Sequence, residues 1–278
     1  MNPDALAALC EAAMPDEHLT ASELEYLCFG EKDEIFGDER GAAVLQTQLF
    51  GEHVAAWLTL VVVNPHQQGR GRGKELVHEI ADRARALGAR DLLLAAAVPR
   101  YVWPGVDVFN TRAGMLLETC GFERDWVGTN MAIETTFRRQ PPAGVVVEPE
   151  TGTGAREFAA VAYPYWVPEL DRAVELGTAF AARDAHGATI GFGCHSVNRF
   201  GWIGPMATDP TLQHGGVGSA VVGAVCADLE RRGRASGEIS WVSNLRFYGK
   251  CGARVSRVFL GGKLSLYSAA VPPPTSVA

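Results

Sequence analysis

Between Gly73 and Leu87, apolar side chains fall at Leu76, Val77, Ile80, Ala84 and Leu87, the spacing of one helix face. The spacing returns after Gly218, at Val221, Val222, Val225 and Leu229. Each predicted helix stops at a glycine, Gly88 or Gly233, as a left-handed C-terminal cap favours. Ahead of the helices lie the strand-like runs HVAAWLTLVVVNP and FGWIGPMATDP, and behind them DLLLAAAV and SGEISWV. The order strand, glycine-rich turn, helix, strand is therefore predicted twice.

The two copies keep one register. Pro65, Gln68, Gly71 and Gly73 recur as Pro210, Gln213, Gly216 and Gly218, each 145 residues later, and Gly88 recurs as Gly233 at the same distance. A fixed offset points to internal duplication. Between the copies, RRQPPAG (Arg138 to Gly144) carries two prolines that end what precedes them, and VVVEP restarts a strand. The pattern predicts an N-terminal domain over 1–140, a C-terminal domain over 145–270 and a flexible tail over 271–278. The fold class it predicts is α/β, a mixed sheet flanked by helices, in tandem.

Composition narrows the function classes. The chain has 278 residues, 47% hydrophobic and 21% charged, enough for two packed domains. No apolar run approaches the roughly 20 residues of a membrane helix. The opening MNPDALAALCEAAMPDE lacks the basic and apolar regions of a signal peptide, so a cytoplasmic location is expected. Cys10, Cys28, Cys120, Cys194, Cys226 and Cys251 are scattered, without a CxxC pair, which argues against a metal site and a disulfide framework. A net charge of −7 disfavours nucleic acid and anionic membrane as partners and suits a cationic substrate. Nothing in the composition sets an oligomeric state.

A strand followed by a glycine-rich turn and a helix presents main-chain N–H groups at the positive end of a helix dipole, where phosphate binds. A Walker A loop is excluded, because Glu75 follows Gly73-Lys74 and Gln68 stands where the earlier glycine belongs. A dinucleotide-binding GxGxxG is also absent. Glycine turns join strands to helices in many α/β folds, yet two copies in the same setting favour a binding role.

The stretches V-x-P-x-x-Q-x-x-G-x-G at Val63–Gly73 and T-x-P-x-x-Q-x-x-G-x-G at Thr208–Gly218 resemble the acetyl-coenzyme A loop of the GNAT superfamily of N-acetyltransferases. Since both halves carry it, the chain resembles a tandem GNAT protein. The resemblance implies acetyl-CoA as co-substrate, its pyrophosphate on the amides of Gln68, Gly69, Arg70, Gly71 and Gly73 or of Gln213, His214, Gly215, Gly216, Val217 and Gly218. It implies that the strand ends Val61 and Val63, or Met206, Ala207 and Thr208, bond the pantetheine arm. Arg70 and His214 occupy variable positions of the loop and equally suit water.

A second family signature, Asn-x-x-Ala-x-x-x-Tyr-x-x-x-Gly-Phe, ends each domain and supplies the tyrosine that protonates the departing thiolate. The first half has Asn110, Ala113, Gly121 and Phe122 but Leu117 in the tyrosine's place. The second half keeps Tyr248 and Gly252, with Trp241, Asn244 and Ala253 at the other positions. A tyrosine hydroxyl can act as the acid and a leucine cannot, so catalysis is expected in the C-terminal domain, with a degenerate N-terminal partner. A buried aromatic beside Phe247 is the plainer reading of Tyr248.

The base is open at this level. Glu238 lies on the strand after the second helix, with Ile239 and Trp241 expected on the other face. Asp209, His195 and an ordered water are the alternatives. Acceptor contacts are expected from VAYPYWVPELDR, where Tyr163, Tyr165 and Trp166 could line a pocket and Glu169 or Asp171 hold a cation; an aromatic helix end in a core is the competing reading. The unrepeated segment Val98–Arg112 either plugs the first site or reaches the second, and the plug is preferred. The activity expected is acetyl transfer to a small-molecule amine. The alternatives are a non-catalytic acyl-CoA sensor and catalysis by the N-terminal half.

Overall fold

The computed structural model describes residues 1–212 and 215–267; the expected tail lies outside the described residues, as do Gln213 and His214. Two compact units form, one from Met1–Gly128 with Val258–Ala278 and one from Thr129–Arg257.

The first unit opens with two helices, α1 (Pro3–Ala13) and α2 (Ala21–Cys28), and the strands β1 (Glu34–Asp38), β2 (Gly41–Phe50) and β3 (His53–Val63). Helix α3 (Arg72–Ala86) follows the first glycine turn, then β4 (Asp91–Leu94), the short β5 (Val106–Asp107), α4 (Thr111–Thr119) and the start of β6 (Glu123–Glu134). In the second unit come β7 (Val146–Pro149), α5 (Gly154–Ala162), α6 (Val167–Glu175), β8 (Ala179–Arg183), β9 (Thr189–His195) and β10 (Trp202–Thr208). Helix α7 (Val217–Arg231) follows the second turn, then β11 (Ser236–Ile239), α8 (Leu245–Lys250) and β12 (Arg254–Ser265).

The predicted helices form because their apolar stripes find cores. Leu76, Val77, Ile80, Ala81 and Ala84 of α3 pack on Ala43, Leu45, Ala56 and Leu58 of β2 and β3. Val222, Val225, Cys226 and Leu229 of α7 pack on Ile203 and Ile239 in the second unit. Each Val, Leu or Ile among them, removed from water, contributes roughly 1.5–3 kcal/mol. Gly88 and Gly233 adopt φ +89° and +83° just past α3 and α7, the left-handed caps expected of them.

The duplication extends to sheet register. In the first unit β3 pairs in parallel with β4 at Ala56–Leu92 and Trp57–Leu93. In the second, β10 pairs in parallel with β11 at Trp202–Glu238 and Ile203–Ile239. Trp202 lies 145 residues after Trp57, and Glu238 lies 145 after Leu93. Both long strands also carry a bulge at the same place, between Leu58 and Leu60 on β3 and between Ile203 and Met206 on β10.

The compact units do not follow the expected division at the proline linker. Ile133 and Glu134, at the end of β6, pair antiparallel with Gly237 and Ser236 of β11, so residues 129–134 belong to the second unit. At the other end of the chain, Gly262 to Ser265 of β12 pair with Leu94 to Asp91 of β4 in the first unit. Prolines mark where elements stop, but strand pairing decides which unit an element joins.

The insertion Val98–Arg112 folds onto its own unit. Val102 is fully buried among Leu6, Leu24, Leu27, Val44 and Leu60. Arg100 reaches the buried Asp33 at 2.7 Å, and Trp103 Nε1 donates to Glu17 at 3.1 Å. It packs on the α1–α2 side of the first unit.

Candidate active site

In the second unit β10 separates from β11 because their pairing stops early. It ends at Ile203, whose carbonyl accepts from the Ser240 N–H at 3.3 Å. Pro205 brings no N–H to the ladder and the bulge bends the strand, so Met206, Ala207 and Thr208 run on without a partner on the β11 side. These are the residues expected to meet the pantetheine arm.

Thr208 leads through the turn to α7. Gly216 sits at the N-cap with φ +90°, and Gly71 holds the same place in the first unit with φ +87°. A side chain there would strain the backbone and crowd whatever approaches the amides. The last glycine of each motif does something else. A Cβ on Gly218 would lie 3.1 Å from the Phe247 ring, and one on Gly73 would lie 3.0 Å from Leu116. The missing Cβ of Gly73 and Gly218 therefore admits the neighbouring helix, α4 or α8. Gln68 closes its turn by donating to the Val63 carbonyl at 3.0 Å, and Arg112 bonds its side-chain oxygen. The Val217 side chain is buried in a core, which leaves only its backbone for a ligand.

The two turns differ in electrostatics. The first turn of α3 carries Glu75, held by Arg72 at 3.4 Å, and its carboxylate would lie 3.9 Å from a Cβ on Gly71. The first turn of α7 carries no acidic residue. At α7 the helix dipole acts without a first-turn carboxylate, whereas at α3 Glu75 shares the turn with Arg70, Arg72 and Lys74. Arg70 and Gly69 are exposed, and Pro142 lies 3.6 Å from a Cβ on Gly216.

Tyr248 is on α8, where its hydroxyl donates to Met206 Sδ at 3.8 Å, a long contact to sulfur on the unpaired half of β10. Its ring meets Phe247 edge to face at 4.8 Å. Burial, with a smaller effect of Cys251, pushes the phenol up to about 12, so it keeps its proton at neutral pH. Leu117, 131 residues earlier as Leu116 is to Phe247, is simply core in the first unit. Asn110 and Asn244 each cap their helix, accepting from the N–H of Ala113 and Phe247. The asparagine of the second copy has thus moved one turn along and shortened α8.

Glu238 is half-buried on β11 and accepts from Asn130 Nδ2 at 2.5 Å. Ile239 points into the α7 core, which sets Glu238 on the opposite face of the sheet. The expected alternation stops there: Trp241 lies past the strand end, exposed, with φ +50°.

Two other base candidates are engaged elsewhere. His195 is fully buried, with Nε2 bonded to Asp228 at 2.8 Å and Nδ1 to Ser196 at 2.9 Å, while Arg231 and Arg232 complete the Asp228 shell. The Asp209 carboxylate accepts from the Thr211 N–H and hydroxyl, forming a turn cap.

Tyr163 and Trp166 stack at 5.0 Å, Tyr165 meets Trp166 edge-on at 5.1 Å, and Trp166 reaches Phe192 at 6.4 Å. Trp166 packs into the α5–α6 core, and Tyr165 is exposed. Asp171 is bound by Arg156 on the surface. Glu169 is buried, bonded by Asn198 Nδ2 at 3.3 Å, and burial pushes its carboxyl up to about 8. Asn198 Oδ1 is buried and has no hydrogen-bond partner among the described residues. Asn130 and Asn198 carry no local signal in the sequence, because their partners lie far along the chain.

Among the described residues no group of His, Cys, Asp and Glu is arranged to hold a metal, and none of the six cysteines is in a disulfide. No described helix is long and apolar enough to cross a membrane.

Comparison with known proteins agrees with this architecture. The model of the acetyltransferase (GNAT) family matches residues 8–122 and again 148–253. No curated protein matches the chain. Among solved structures, the glucosamine N-acetyltransferase region of a fungal multi-domain GH3 β-N-acetylglucosaminidase superposes with a TM-score of 0.75 at 18% identity, over 94% of this chain and 37% of that one. This chain thus spans little more than a third of that protein. A tandem GNAT protein from the clavulanic acid biosynthesis pathway gives a TM-score of 0.71 at 13% identity, over 97% of this chain and 98% of that one. A GCN5-related N-acetyltransferase from Sphaerobacter thermophilus gives 0.66 at 17% identity, over 96% and 93%. At such identities the superpositions speak for the fold.

Proposed function

Because this chain belongs to the GNAT acetyltransferase family, we propose that its second unit transfers the acetyl group of acetyl-CoA to the amine of a small molecule. The observation that carries this reading is the Tyr248 hydroxyl, set against Met206 on the half of β10 that β11 leaves unpaired. Main-chain amides about Gly216, at the start of a helix without first-turn carboxylates, receive the pyrophosphate. The edge of Met206 to Thr208 bonds the pantetheine arm, which brings the thioester toward Tyr248.

An amine with pKa near 10.4 costs about 4 kcal/mol to deprotonate at neutral pH. Glu238 takes that proton, directly or through a water. The neutral nitrogen then adds to the thioester carbon, and β10 amides stabilise the oxyanion. The C–S bond breaks as Tyr248 hydrogen-bonds and protonates the sulfur, and the second proton of the acylated nitrogen returns to the phenolate, directly or through a water, leaving a neutral amide. A phenol near 12 facing a thiol near 8.5 opposes full transfer by about 5 kcal/mol in the ground state, so the bond to sulfur matters most as charge develops. The first unit has Leu93 in the place of Glu238 and Leu117 in the place of Tyr248, which is why the chemistry is assigned to the second.

Free-thiol release from acetyl-CoA is followed with a panel of small amines. Turnover is expected, and Tyr248→Phe should lower kcat about 10²-fold with unchanged coenzyme affinity. Tight coenzyme binding without turnover on any amine would favour the sensor, and an unchanged kcat in Tyr248→Phe would remove Tyr248 as the acid.

A further inference from the structure

Asn130 is fully buried near the start of the second unit, and both ends of its amide are engaged. Nδ2 donates to Glu238 Oε1 at 2.5 Å, and Oδ1 accepts from the Trp241 N–H at 2.8 Å. The preceding carbonyl, of Thr129, accepts from the Val242 N–H at 2.8 Å. Residues 129 and 130 thus grip the turn that leads from β11 into α8. That turn is strained, because Trp241 sits at φ +50°, where a Cβ crowds the backbone. Strain of this kind persists only where the surroundings impose it, and Asn130 is part of what imposes it.

The same side chain therefore touches the strand that carries Glu238 and the turn that launches the helix carrying Tyr248. Its bond to a carboxylate is charge-assisted and directional. With Oε1 held, the rotation of the carboxylate is restricted.

We propose that Asn130 is a positioning residue for acetyl transfer, orienting Glu238 as base while fixing the turn that sets Tyr248. This rests on the reading of Glu238 and Tyr248 given above. Asn130 precedes the proline linker in the chain, so the C-terminal repeat by itself lacks a part of its own site.

Asn130→Asp keeps an oxygen for the Trp241 N–H but sets a second carboxylate against Glu238 in place of the donor, so the two must share a proton and Glu238 is lost as a free, oriented base. In the full chain it should lower kcat by about 10–100-fold, the scale of a misplaced reacting group, with the KM for acetyl-CoA within about twofold. Asn130→Asp combined with Glu238→Gln should be no slower than Glu238→Gln alone, because one residue acts through the other. A wild-type kcat in Asn130→Asp, beside a strong loss in Glu238→Gln, would overturn the positioning role while sparing the base. A wild-type kcat in Glu238→Gln would remove the base and the proposal with it. An arm independent of any acceptor compares the unfolding of Asn130→Asp, Glu238→Gln and the double variant: non-additive effects are expected, and additivity would refute the pairing.

Discussion

Replacing Glu169 by glutamine should stabilise the protein, and increasingly so as the pH rises. The carboxyl is 5% exposed, and its one hydrogen-bond donor among the described residues is Asn198. Burial, opposed slightly by that bond, lifts it from its ordinary 4.5 to about 8. Between those values the unfolded chain has released the proton and the folded chain keeps it, so stability falls with rising pH at about 1.4 kcal/mol per pH unit. The loss reaches about 3 kcal/mol at pH 7 and about 5 kcal/mol above pH 8, upper figures because relaxation and water entry soften the penalty. Glutamine is neutral throughout, and its amide adds a donor for the Asn198 oxygen, which has none among the described residues. Urea unfolding of both proteins at pH 5, 7 and 8.5, followed by tryptophan fluorescence, reads the difference. The gain should be small at pH 5 and widen toward pH 8.5. A gap independent of pH, or a variant less stable at pH 8.5, would refute the reasoning.

Gly218→Ala places a methyl 3.1 Å from the Phe247 ring, so α8 must give way, and kcat should fall more than coenzyme affinity; unchanged kcat would show that α8 yields without moving Tyr248. His195 is held below its ordinary pKa, first by burial, against the opposing pull of Asp228. The unfolded chain therefore gains a proton that the folded one resists, and stability should fall as the pH drops below about 6.5. Thermal melts from pH 7.5 to 5 should show a flatter acid limb in His195→Gln, and an identical slope would assign the loss to other groups.

Much of this protein was legible from pattern alone. The apolar stripes of α3 and α7, their glycine caps and the constant offset of 145 residues all came from local spacing, because helix period and left-handed turns constrain neighbouring residues directly. The offset even carried through to Trp57 and Trp202, which pair with Leu93 and Glu238 in matching registers. The glycines were legible in kind but not in task, since Gly216 turns the backbone whereas Gly218 makes room for Phe247.

Partnership between distant segments was decided only by the folded chain. Strand pairing leaves no periodic trace of which strand is chosen, so the prolines at 141 and 142 marked an end without showing that residues 129–134 complete the second unit. Burial of His195 against Asp228, 33 residues away, likewise took a plausible base out of the chemistry. Spacing placed Tyr248 and Glu238 on their elements; what holds Glu238, and bends the turn toward Tyr248, is an asparagine 108 residues before that glutamate, brought there by the sheet.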